Sequence, residues 1–171
     1  MELWDIYDIN RNPLGKTVRR GDKLGDGEYH MVIHVCIFNS EGQMLIQQRQ
    51  KSKSWANKWD ISCGGCAVAG ETSREAAQRE VFEELGIGLD LTNVRSAVTV
   101  SFENGFDDFY LINAEPELSA LRLQAEEVQA VRWASMEEIF SMIDGGQFIP
   151  FFKSFINTLF DLRKKPDCLN I

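Results

Sequence analysis

The sequence predicts an α/β fold, a mixed sheet with helices on its faces, and three observations carry that expectation. Short apolar, β-branched runs recur along the chain, the clearest being His30 to Phe38 (HMVIHVCIF), and their length suits strands rather than helices. Two capping boxes, Thr72 with Glu75 and Ser135 with Glu138, mark where helices begin, because a Ser or Thr hydroxyl and a Glu carboxylate three positions on can satisfy each other's backbone amides. The resulting order of strands, helix, strands, helix, helix buries one face of each element best when helices layer onto a sheet. At 171 residues, one domain spanning 1–171 is expected, long enough for a sizeable core.

Each element has a local reason. Residues 2–8 read as a first strand, Asn10 to Gly15 as a turn, and Lys16 to Arg19 as the returning strand. With the glycine-spaced Gly21 to Gly27, they make residues 1–28 an N-terminal hairpin and loop extension. His30 to Phe38 pairs as a hairpin with Met44 to Arg49 across Asn39–Gly42. Along the first of these strands His30, His34 and Cys36 share one face by the period of two. Trp59 to Ser62 reads as a short strand feeding a Gly64–Gly65 turn. Val94 to Glu103 and Asp108 to Asn113 read as a further pair across Asn104–Gly105, and Val128 to Ala134 as a last strand. A helix runs from Ser135 to about Ile143, stopped by Gly145–Gly146. A final helix from Pro150 to about Lys164 carries a Phe-rich stripe that reads as a core-facing or dimer-facing surface.

The stretch that decides function is Gly65 to Ile87, GCAVAGETSREAAQREVFEELGI. Its helix is expected from Thr72 to Gly86, where glycine tolerates positive φ. Ala77, Val81 and Leu85 fall on one apolar stripe, whereas Glu80, Glu83 and Glu84 meet on another face. Like charges at that spacing repel, and they stand near the helix C-terminus, where the macrodipole disfavours anions. Arg79 relieves part of this through Glu83. A solvated face is one reading, and a divalent cation held on carboxylate oxygens is the other.

The full spacing favours the cation. Gly65, Glu71, Arg79-Glu80, Glu83-Glu84 and Gly86-Ile87 stand in the register of the Nudix box, and the chain resembles Nudix hydrolases on that ground. The resemblance implies an α/β/α sandwich in which residues 65–87 form a loop, helix and loop. It also implies hydrolysis of a nucleoside diphosphate linked to another group, with Mg2+ or Mn2+ as cofactor. Carried over by position, Glu80, Glu83 and Glu84 hold metal with the carbonyl of Gly64, and Glu71 and Arg79 orient that cluster. Arg49, at a strand end that often faces substrate in this family, is a candidate substrate contact. A glutamate outside the box serves as general base in some members, and Glu126 and Glu127 are the candidates here. The implied partner is a small diphosphate-bearing molecule, with a homodimer also in keeping with the family.

A second branch of the resemblance runs through YHMVIHVCIFNSEGQMLIQQRQ and WDISCGGC, which look like type I isopentenyl diphosphate isomerases. In that reading Cys63 and His30 belong to the site, and the reaction is an allylic isomerisation with no water added. The isomerase box is usually degenerate, whereas this one is complete. Cys63 and Cys66 as a CxxC also admit a zinc site with His30 and His34, or a redox dithiol. Small residues filling a tight strand end is the preferred reading.

Composition bounds the rest. A net charge of −8 argues against non-specific nucleic-acid binding, which needs a basic footprint. It suits an anionic substrate only if metal ions invert the local charge. No run is long enough for a membrane span and the N-terminus is unlike a signal peptide. Four cysteines do not suggest a disulfide scaffold, so a reducing cytoplasm is expected. Trp55, Phe102, Phe106 and Phe109 are aromatics that can stack a base or simply pack.

Overall fold

The computed structural model describes residues 2–164. A two-stranded antiparallel hairpin, β1 (Leu3–Tyr7) and β2 (Pro13–Arg19), precedes a mixed sheet. That sheet contains β3 (His30–Phe38), β4 (Met44–Arg49), β5 (Trp59–Asp60), β6 (Cys63–Cys66), β7 (Val98–Phe102), β8 (Gly105–Asn113) and β9 (Val128–Ala134). The helices are α1 (Ser73–Leu85), α2 (Met136–Asp144) and α3 (Lys153–Leu162).

The central strand is β3, and its alternation builds both layers. Ile33, Val35 and Ile37 point one way and pack with Ala76, Ala77, Val81 and Leu85 of α1. Cys36 and Phe38 point the other way and pack with Ile139, Ile156, Leu159 and Phe160 of α2 and α3. The period of two therefore places α1 on one face of the sheet and α2 with α3 on the other. Both capping boxes form: Thr72 caps α1 and Ser135 caps α2, each with its N3 glutamate returning the bond. Gly86 ends α1 in the left-handed region at φ 72°, and its place against Arg122 leaves little room for a side chain.

The strand pairing differs from the expected meander in ways that create the site. β3 and β4 meet in register at Phe38 and Met44 and then part. β3 pairs in parallel with β8 along its whole length and antiparallel with β6, while β4 turns to β9 and β5. The diverging strands leave the short β6 as an edge strand beside α1. Gly64 and Gly65 lie within this strand rather than in a turn, because a residue without Cβ lets the close neighbours on both faces approach. The turn follows instead at residues 69–70.

Other boundaries move for identifiable reasons. The N-terminal return strand begins at Pro13, earlier than Lys16, since an edge strand tolerates a residue lacking N–H. β7 begins at Val98 rather than Val94, because Leu91 is buried against the α1 layer and the chain turns there before the strand starts. α3 begins at Lys153, with Phe151 and Phe152 in the extended approach.

The N-terminal hairpin is locked onto the sheet. Trp4 stacks on His30 with ring centroids 4.3 Å apart and 7° between planes. Arg11 reaches the buried Asp108 of β8 with both guanidinium nitrogens, at 3.0 and 2.6 Å. The hairpin also braces the loop before α1: the amide of Ala69 donates to the Leu3 carbonyl at 2.8 Å, and that of Gly70 to Asp5 at 2.7 Å.

Candidate active site

The helix α1 lies with Ala76, Ala77, Val81 and Leu85 buried, and this fixes which way its acids face. Glu80 and Glu84 flank the apolar stripe and point at β6. Glu80 rests against the backbone of Gly65, where any Cβ would collide with its carboxylate. Glu84 is 5% exposed and accepts from the Gln47 side-chain amide of β4 at 3.0 Å and from the Cys63 thiol. Glu83 faces outward.

Arg79 ties the acids together. Its Nε donates to Glu71 Oε1 at 2.6 Å and its Nη2 to Oε2 at 2.9 Å. The same guanidinium meets Glu80 at 2.9 Å and Glu83 at 3.1 Å, and bonds the Cys66 carbonyl at 3.1 Å. Glu71 also accepts from the Val68 amide at 3.0 Å, so the loop before α1, the helix and strand β6 are joined through one side chain.

The charges are strongly perturbed. Burial pushes the Glu84 carboxyl up to about 7, with Glu80 adding repulsion against bonds from Cys63 and Gln47. Burial also raises Glu80, against the pull of Arg79. For Glu71 burial alone would raise the carboxyl, but Arg79 and the Val68 amide hold it below the usual range. Hydrogen bonding to Glu71 raises Arg79, which stays charged.

Glu71, Arg79, Glu80 and Glu83 are thus brought into one constellation, and Glu84 lies beside it. Among the described residues, no three His, Cys, Asp or Glu side chains close around a single point as a metal site. Glu80 and Glu83 turn to Arg79 and Glu84 turns to Gln47. The donor set nonetheless fits a hard divalent cation. It offers oxygens without sulfur or imidazole, one of them a buried carboxylate with a strongly raised pKa, which a nearby cation would favour in its charged form. The Gln47 side-chain oxygen, buried without a partner, is a further donor in the same place.

The remaining candidates fall out differently. Gly64 pairs in register with His34, whose ring fills the space a Cβ would need. His34 is held by Asp107, Nδ1 to Oδ1 at 2.8 Å, and stacks on Phe109 at 4.9 Å between centroids. Burial would lower its pKa, but Asp107, Asp60 and Glu84 together raise it. The expectation of a packed, hydrogen-bonded histidine matches this geometry. Arg49 bonds Asp60 at 3.0 Å and the Ser54 carbonyl at 2.9 Å, which fixes its guanidinium at the base of its own loop.

Cys63 is fully buried on the α1 side, and burial, with Glu84 second, pushes its thiol well above the ordinary range. Three residues apart on a strand, Cys63 and Cys66 face opposite sides, and both are free. His30 is stacked under Trp4, its pKa lowered by burial. Neither a zinc set nor a dithiol is assembled from these groups. Glu127 pairs with Lys53 at 2.5 Å and its charge is felt at Glu84, whereas Glu126 is exposed. Phe106 and Phe109 are buried in the core, while Trp55 and Phe102 are exposed.

Gln47 is the residue that sequence reasoning missed, and Asp107 stands in the sequence only as one of the acids after the box, without a partner. Both reach the site through strand pairing between distant segments, β4 diverging from β3 and β8 running parallel to it, which no local pattern announces.

Residues 28–151 match the family model of the NUDIX domain. The chain belongs to the Nudix family. It is 52% identical over 164 residues to an uncharacterized Nudix hydrolase of Listeria innocua, covering 95% of this chain and 96% of that one. A more distant likeness, 28% identity over 138 residues, covers 78% of this chain and 76% of an isopentenyl-diphosphate Delta-isomerase of Pectobacterium atrosepticum. Among solved structures, DR0079 from Deinococcus radiodurans superposes with a TM-score of 0.74 at 21% identity, covering 92% of this chain and 99% of that one. The MutT protein of Methanosarcina mazei gives 0.60 at 26% identity, covering 80% and 96%. The Nudix fold expected from the box is therefore the fold observed, and the family indicates a hydrolase of the pyrophosphohydrolase type acting on a small molecule. Among the described residues no helix is long and apolar enough to cross a membrane.

Proposed function

We propose that this Nudix protein hydrolyses the diphosphate linkage of a nucleoside diphosphate derivative, by attack of water on phosphorus, in the reducing cytoplasm. Glu80, Glu83 and Glu84 would hold Mg2+ or Mn2+ with the Gly64 carbonyl. When bound, such a cation supplies neutralisation of the diphosphate charge and a water of lowered pKa.

The chain's own residues do the positioning. Arg79, fixed by two bonds to Glu71, holds Glu80 and Glu83 in one orientation, as outer partners orient metal-binding carboxylates elsewhere. Burial keeps Glu84 from water, so its charged form is stabilised only by a cation or a donor. Glu127, whose charge bears on Glu84, is the acid outside the box suited to take the proton of the attacking water. The single observation that carries the reading is the Arg79 bracket joining Glu71, Glu80 and Glu83. A purely structural helix would be served by the Arg79–Glu83 pair alone, whereas here the same guanidinium also holds the half-buried Glu80 and Glu71 of the preceding loop.

The isomerase reading has likeness in its favour but needs Cys63 to meet substrate, and that thiol is buried beneath Glu84. The test is product mass on a panel of nucleoside diphosphate derivatives and isopentenyl diphosphate, with Mg2+, Mn2+ or chelator. Release of a nucleoside monophosphate or inorganic phosphate, abolished by chelator and by Glu83→Gln with the fold intact, is expected. Full activity in E83Q would remove the site assignment. Dimethylallyl diphosphate formed without hydrolysis would replace the function with the isomerase.

A further inference from the structure

A second recess opens beside His34, on the face of the sheet opposite α1. It encloses about 320 Å³ and is lined by Val100 of β7, Asp107 and Phe109 of β8, and Pro150, Phe151, Phe152 and Phe155 at the start of α3. Every side chain but one is hydrocarbon. Its aromatic content is unusual for a surface: Phe152 is 82% exposed at the rim, and Val100 is 37% exposed opposite. Phe151 and Phe155 present nearly parallel rings, 25° apart. An exposed apolar surface of this kind marks a place that meets something.

The exception is Asp107. One carboxylate oxygen receives Nδ1 of His34 at 2.8 Å. The other takes no hydrogen bond among the described residues, and the side chain is 16% exposed toward the recess. A hydrocarbon ligand would leave that oxygen without a donor, which is costly in an apolar enclosure. A flat ring with an N–H on its edge satisfies the carboxylate and stacks on the phenylalanines at once.

One side chain, His34, separates the recess from the box site. It is bonded to Asp107 on one side and lies against Gly64 on the other. Glu84 and Asp60 are near enough to act on its charge. A molecule whose diphosphate lies at Gly64 and Glu80 therefore has this recess as the neighbouring place for the group it carries.

Resting on the function proposed above, we propose that this aromatic recess receives the nucleobase of the substrate, with Asp107 accepting from an exocyclic amino group. At the edge position that carries the amino group, the pocket then selects cytosine over uracil and adenine over hypoxanthine. In those oxo bases a carbonyl stands at that position, and with the ring's orientation set by the sugar and phosphate it hangs from, a carboxylate facing the carbonyl oxygen loses its bond and gains a repulsion. The phenylalanines bind any base, since every base has a stacking face. Asp107 is thus a specificity residue and His34 its positioning partner.

Equilibrium binding without divalent metal tests this independently of hydrolysis. Four nucleoside monophosphates serve as probes, CMP against UMP and AMP against IMP, with ribose 5-phosphate as the control lacking a base. The amino-bearing member of each pair should bind about tenfold more tightly, the worth of a hydrogen bond to a charged acceptor. Phe152→Ser, at an exposed rim position, should weaken all four by about tenfold without changing the preference. Asp107→Asn should abolish the preference, because an amide can donate to a carbonyl as well as accept from an amine.

Equal affinity within each pair, or affinities no better than ribose 5-phosphate, would overturn the proposal even if diphosphate hydrolysis is confirmed. Tighter binding of dimethylallyl diphosphate, weakened by Phe152→Ser, would assign the recess to a hydrocarbon chain instead. Self-association lost in Phe152→Ser, with no nucleotide binding, would assign it to a second copy of this chain. If the amino preference is found and hydrolysis is not, the pocket stands and the reaction at the box falls.

Discussion

Arg79 and Glu71 lie in a two-point embrace, with Nε on Oε1 at 2.6 Å and Nη2 on Oε2 at 2.9 Å. The planar guanidinium matches the carboxylate fork, and its remaining edge is left for Glu80 and Glu83. Lysine keeps the charge but presents a single point, so Arg79→Lys is not conservative here. We expect kcat to fall by about 10- to 100-fold and the metal concentration for half-activity to rise, the size usual for outer partners of metal ligands. The fold should survive, since Arg79 is partly exposed. Kinetics with metal titration, alongside thermal melting, check this. A variant with unchanged metal dependence would show that Arg79 does not orient the cluster.

Two neighbouring glycines should fail in different ways. A Cβ on Gly65 meets the end of the Glu80 side chain, which is flexible and can swing aside. Gly65→Ala is therefore expected to fold with a loss of stability under about 1 kcal/mol and to lose metal-dependent turnover. A Cβ on Gly64 meets the ring of His34, which is pinned by Asp107 and stacked on Phe109. Gly64→Ala should cost about 1–3 kcal/mol, as overpacking does. Urea melts and activity measured on both variants separate the two. The reverse pattern would mean that His34, rather than Glu80, yields more easily.

Much of this was legible in the chain because it is local. The capping boxes at Thr72 and Ser135, the left-handed Gly86, the stripe of Ala77, Val81 and Leu85, and the acidic face beside it follow from spacing within one helix. What was not legible depends on partners far apart in sequence. Gly64 and Gly65 look like a turn until β6 is seen to pair with β3. Arg49 shows its bonds to Asp60 and the Ser54 carbonyl only once the loop between β4 and β5 has folded back. Asp107 acquires meaning only because β8 runs parallel to β3, which brings it against His34.

Cys63 offers a clean separation of two chemistries. Its thiol is fully buried and bonded to Glu84, so Cys63→Ala removes a small apolar volume and one donor. A loss of about 1 kcal/mol in stability is expected, with hydrolysis kept within a few-fold. A reaction that uses this sulfur as an acid or base would instead be lost in C63A. Product analysis of that variant on isopentenyl diphosphate and on nucleotide substrates decides between the two.

The anchor of the N-terminal hairpin should show itself in acid. Burial would raise the Asp108 carboxyl, but Arg11 and Thr99 bond it and hold it below the usual range. A carboxylate depressed in the folded state contributes stability that is fully present above its unfolded value, about pH 4. That contribution is lost as pH falls through the lower, folded value. Arg11→Met leaves Asp108, 2% exposed, charged and without its ion-pair partner at neutral pH, at a cost of about 3–5 kcal/mol. Without Arg11, burial raises the Asp108 carboxyl above its unfolded value, so R11M takes up the relieving proton above about pH 4 and the stability gap to wild type should narrow from there down to the depressed wild-type value. Arg11→Met with Asp108→Asn should recover most of the loss at pH 7, because no buried charge remains. Urea denaturation across pH for the three proteins measures this directly. A gap independent of pH would show that Arg11 anchors the hairpin by packing on Phe106, 5.3 Å below its guanidinium, rather than through Asp108.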